Sequence, residues 1–133
     1  MMKTNSSYLK IQAIFLTHLH ADHVLGFPGA IATMNIHQRD TPLIVFGPKG
    51  IKEFVKQSLD LIGLRPVFQI KVVEVKEGII LEQEKFFVEA VKANHDIACY
   101  GYVFKEKDSL GKFLKQKALD LEIPEGPMFA KLQ

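Results

Sequence analysis

An apolar run, Ile11 to Leu16, leads without interruption into Thr17-His18-Leu19-His20-Ala21-Asp22-His23. The run reads as a buried strand. A strand that ends in such a cluster delivers three imidazoles and a carboxylate to one loop at the edge of a sheet. Side chains alternate with period two along an extended backbone, so His18 and His20 point to the same side and can share one metal ion. Asp22 and His23 are adjacent and would diverge in an extended chain. Where the loop turns, they can reach a second ion. Zinc takes imidazole nitrogen and carboxylate oxygen, and paired ions about 3.5–4 Å apart activate water for hydrolysis.

The rest of the chain predicts an alternation of strands and helices, an α/β pattern. Gly26-Phe27-Pro28-Gly29 starts a helix running to about Gln38, with proline tolerated in its first turn. Ile31, Met34 and Ile36 are expected to face inward, and His37 to be solvated rather than metal-bound. Leu43 to Phe46 reads as a short buried strand. Ile51, Phe54, Val55, Leu59 and Ile62 mark one face of a second helix, which Gly63 ends. Val67–Val75, Ile79–Leu81 and Phe86–Ala93 then read as successive antiparallel strands, and Ala98–Phe104 as a further strand rich in aromatics. From Lys105 the chain turns polar, and Pro124-Glu125-Gly126-Pro127 continues no helix.

Composition narrows the classes. At 133 residues the chain is about one domain. Its longest apolar runs fall short of the roughly 18 residues that span a bilayer. The start, Met1 to Ser7, lacks the apolar core of a secretory signal. One cysteine, Cys99, forms no internal disulfide, so a cytoplasmic setting is expected and no membrane partner. A net charge of +2 does not mark a nucleic-acid binder.

His-x-His-x-Asp-His after an apolar strand resembles the signature of the metallo-β-lactamase fold hydrolases. Gly26-Phe27-Pro28-Gly29, Phe46-Gly47-Pro48-Lys49-Gly50-Ile51, His95 with Tyr100-Gly101-Tyr102, and Gly126-Pro127 narrow the resemblance to ribonuclease Z, which trims the 3′ end of precursor transfer RNA. The resemblance covers nearly the whole chain from Ile11 onward. It implies an αββα sandwich, here in part: one mixed β-sheet layer with flanking helices, plus a protruding arm. Residues 1–107 would be the N-terminal half of the domain, and 108–133 the substrate-binding arm.

The resemblance also assigns roles. His18, His20 and His95 would bind a first zinc, and Asp22 and His23 a second. Manganese or iron suits the same donors. Hydroxide activated by the metals would attack the RNA phosphodiester, with Asp22 as the catalytic residue that orients the water or accepts its proton. Lys107, Lys112, Lys115 and Lys117, with Gly126 and Pro127, would meet the transfer RNA.

The sequence departs from the family in lacking, after Gln133, the bridging Asp, the last zinc-binding His, and a His and Glu for leaving-group protonation. The family's opening strands before Ile11 are absent, and Ala21 stands where Gly is common. The expectation is therefore a truncated enzyme, not competent alone, that pairs with itself or with a complementary C-terminal fragment. Two alternatives remain open at this point: another hydrolase of the superfamily, or a non-catalytic metal- or RNA-binding fragment.

Overall fold

The computed structural model describes residues 7–108 and 114–123, together with Gly126 and Phe129. The chain opens with a 3-10 turn, Tyr8–Lys10, and strand β1, Ala13–Phe15. A short helix α1, Ala21–Val24, and helix α2, Gly26–Ile36, lead to β2, Leu43–Gly47. Helix α3, Ile51–Leu61, leads to β3, Ile70–Glu74. Three further strands follow: β4, Gly78–Glu82; β5, Phe86–Lys92; and β6, Tyr100–Glu106. Helix α4 spans Lys115–Asp120.

Helices separate β1, β2 and β3, and these strands pair in parallel, as such crossovers require. Phe15 lies opposite Phe46, and Val45 opposite Val72. Strands β4, β5 and β6 form a separate antiparallel sheet with a register shift between Ile79 and Leu81.

The single mixed sheet read from the sequence is thus corrected to two stacked sheets, and β3 is not the first of an antiparallel run. The reason lies in the two faces of β3. Ile70 and Val72 pack with the helices, whereas Val73 and the following Val75 pack toward the other sheet. A strand covered on both faces suits a parallel sheet. Gly78, at φ 117, opens β4 after the crossing, a backbone conformation that glycine adopts at no steric cost.

Two cores result. One joins Phe27, Ile31 and Met34 of α2 and Ile51, Val55 and Leu59 of α3 to Leu43 and Val45 of β2. The other lies between the sheets, around Phe46, Val75 and Ala90, with Phe15 stacked on Phe46 at 4.9 Å. The layers run helix, sheet, sheet, which is three of the four in an αββα sandwich. Ile36 is 75% exposed, against expectation, because at 100° per residue it stands about 200° around the helix from Met34. Ile62 is likewise outside, since α3 ends at Leu61 and Gly63, at φ 64, turns the chain away.

Arg39, buried and with no acidic partner among the described residues, binds the fold through backbone carbonyls. Its guanidinium donates to the carbonyls of Leu9, Ile11, Thr41 and Pro42 at 2.6–2.9 Å, and it lies over the Phe68 ring. It ties the opening segment to the α2–β2 connection.

Candidate metal centre

The two sheets meet at the C-terminal end of β1. Tyr100 donates its backbone N–H to Thr17 O at 3.0 Å, and the Tyr102 hydroxyl donates to Leu16 O at 2.8 Å. Burial first, then the Cys99 and Tyr100 groups, push the Tyr102 phenol up to about 12, so it stays a protonated donor. These bonds bring the loop after β5, which carries His95, against the loop after β1.

One ring nitrogen from each of His18, His20 and His95 falls within 4.8 Å of the others. Ring centroids lie 4.4 Å apart for His18 and His95, and 5.0 Å apart for His20 and His95. His20 is the N-cap of α1 with an extended backbone, so the chain remains strand-like through the His-x-His pair and turns only afterwards. That turn places Asp22 and His23 in the first helical turn. Asp22 Oδ2 lies 3.5 Å from His23 Nε2, and the His23 ring is 4.0 Å from that of His18. Asp22 and His23 therefore sit beside the three-histidine group as an adjoining pair, with His23 nearer to it.

His18 is buried, at 5% exposure. Its Nδ1 meets Thr17 Oγ1 at 2.9 Å and Cys99 Sγ at 3.8 Å. Burial, then the neighbouring His23, His95 and His20, hold its pKa below 6.5, outweighing the opposite effect of Asp22. The ring is accordingly neutral at pH 7, the form that ligates metal. Asp96 follows His95 and touches both His95 and His20. Burial opposes its ionisation, but the His95 hydrogen bond, then the His95 and His20 charges, outweigh this and lower its pKa.

Three converging imidazoles match what an open zinc site takes from a protein. A groove of about 740 Å³ adjoins them, lined in part by Glu77, Lys92, Asn94, His95, Cys99 and Tyr100. Thr17, Cys99 and Asp96 were not singled out as site residues in the sequence. Only Asp96 carried a signal, its place directly after His95.

His37 lies elsewhere, at the end of α2, with Nδ1 2.9 Å from Thr33 O and its ring edge-on to Tyr8. Of the arm residues, Lys115 and Lys117 are exposed on α4, and Gly126, beyond that helix, is exposed as well. Lys107 pairs with Glu82 at 2.7 Å, which offsets its charge. Lys112 and Pro127 lie outside the described residues. Among the described residues, α4 is in extensive contact with no other element, and no helix is long and apolar enough to cross a membrane.

Residues 2–113 match the family model of the beta-lactamase superfamily domain. Ribonuclease Z of Nitrosopumilus maritimus is 41% identical over 132 residues, 99% of this chain and 44% of that protein. Ribonuclease Z of Bacillus cereus is 39% identical over 125 residues, 93% of this chain and 41% of that protein. The chain thus spans less than half the length of these relatives and resembles their N-terminal part. Among solved structures, human tRNase Z, short form, superposes with a TM-score of 0.66 at 26% identity, over 79% of this chain and 48% of that one. A metallo-beta-lactamase fold protein of Bacillus subtilis superposes at 0.57 with 20% identity, which speaks to the fold alone.

Proposed function

We propose that this chain, which belongs to the beta-lactamase superfamily, carries the metal-binding half of an endoribonuclease that removes the 3′ trailer from precursor transfer RNA. The observation that supports this most is the convergence of His18, His20 and His95 from loops on two different sheets. The similarity to proteins named ribonuclease Z and tRNase Z supplies the substrate class.

In this reading His18, His20 and His95 hold a first zinc, and Asp22 and His23 contribute to a second. Manganese or iron suits the same donors. Bound metal supplies an activated water and neutralises charge on the phosphate oxygens. The chain's own residues set up that chemistry. Thr17 and Cys99 fix the His18 ring. Asp22 would orient the attacking water or take its proton. The arm, residues 108–133, carries Lys115 and Lys117 as contacts for the RNA backbone, with Lys107, Lys112, Gly126 and Pro127 beside them in the sequence.

Two ligands are fewer than the three that open catalytic zinc sites use. The second metal and full activity therefore require residues beyond the ones described, from a complementary C-terminal part. A cytoplasmic location accords with the single, buried Cys99.

The test is to co-express the chain with the C-terminal part of the Nitrosopumilus maritimus relative and to map the products from a precursor transfer RNA. Cleavage just after the discriminator nucleotide, leaving a 3′-hydroxyl and abolished by His18→Ala, is the expected result. A folded assembly that leaves the trailer in place would contradict the reading.

A further inference from the structure

We infer that Asp96 is a positioning residue of the metal centre, one carboxylate that braces two of the three ligand histidines at once. The inference rests on reading His18, His20 and His95 as one metal site. Asp96 Oδ1 contacts His95 Nδ1, and Oδ2 lies 3.7 Å from His20 Nε2. Its side chain is 69% exposed, so packing does not explain where it points.

The contact fixes a tautomer. The Asp96 backbone N–H also approaches His95 Nδ1, at 2.9 Å. The two contacts demand opposite forms of the ring, because Nδ1 cannot both accept from the amide and donate to the carboxylate. An ionised carboxylate has no proton to give and only accepts. It therefore selects the Nδ1–H form, which leaves the Nε2 lone pair of His95 free for metal.

A metal-ligating histidine that donates its other N–H to a carboxylate is held in orientation and made a better donor. Here the same carboxylate also faces His20, which arrives from the loop after β1, whereas His95 arrives from the loop after β5. Asp96 thus spans the joint between the two sheets and holds the two histidines in place before metal arrives. Among the described residues Asp96 is not one of the three whose ligand atoms share the 4.8 Å group, so it acts through the ligands.

Zinc affinity of the chain, measured by competition with a chromophoric chelator, tests this without any assay of activity. Asp96→Ala should weaken zinc about 10–100-fold, and Asp96→Glu should recover part of the loss. Asp60→Asn, which removes a carboxylate that pairs with Arg65, should change nothing. The visible spectrum of the cobalt-saturated Asp96→Ala chain should match the wild type, because the ligands are the same. Wild-type affinity in Asp96→Ala would overturn the inference, and an altered cobalt spectrum would overturn it by making Asp96 a ligand. A wild-type chain that takes up no zinc would instead overturn the metal site itself.

Discussion

His18 shows how much one side chain can reveal. Its neutral form is favoured by burial and by three neighbouring imidazoles. An unfolded histidine titrates near 6.5. Because the folded pKa is lowered, the unfolded chain takes up protons first as pH falls. The stabilisation is fully present above 6.5 and is lost as pH drops through 6.5 toward the folded value. Urea unfolding of the metal-free chain should show lower stability at pH 5.5 than at pH 7.5, and His18→Asn should flatten that slope. At this scale the His-x-His pair was legible because strand periodicity dictates it. His95 was not legible from spacing, since it lies 75 positions beyond His20 and only the family resemblance pointed to it. Cys99 left no signal, because its contact with His18 spans 81 positions and exists only with β6 docked beside β1, and the contact of Thr17 with its neighbour His18 depends on a ring orientation that no spacing encodes.

The elements came through the sequence unevenly. Helix α3 announced itself by apolar spacing and by Gly63, and α2 by its proline-containing start. Sheet membership did not, because β3 and β4 share the same local pattern and only their pairing, β3 parallel to β2 and β4 antiparallel to β5, separates them. Arg39 was invisible for a related reason: its acceptors are backbone carbonyls that any sequence would offer. Arg39→Ala should cost about 1–3 kcal/mol, since its acceptors are only part-buried, water can reach most of them, and an acceptor left unmet costs roughly 1–3 kcal/mol. Chemical denaturation measures it, and a change within 0.5 kcal/mol would show the clamp to be dispensable. Gly50 starts α3 at φ 98, and a Cβ there would stand 3.2 Å from Leu19 Cδ1. Gly50→Ala should destabilise by about 1–2 kcal/mol for the left-handed backbone. It should also disturb zinc binding, because Leu19 sits between His18 and His20.

For the whole molecule, the outer side of the antiparallel sheet leaves Ile79, Val91 and Val103 exposed. Apolar faces of this kind recruit partners. The chain should self-associate with rising concentration in sedimentation experiments, and Val103→Glu should weaken that association. A strictly monomeric chain would favour a C-terminal fragment as the sole partner. If the proposed enzyme is assembled, removing residues 108–133 should weaken transfer-RNA binding and spare hydrolysis of a small phosphodiester. Equal loss of both would make that segment part of the core. Whether His18, His20 and His95 form one metal site is decided by zinc stoichiometry in equilibrium dialysis. About one tightly held zinc per chain, lost in His95→Ala, is the expected result. A chain that holds no zinc, or an alanine variant that keeps all of it, would rule out the three-histidine site.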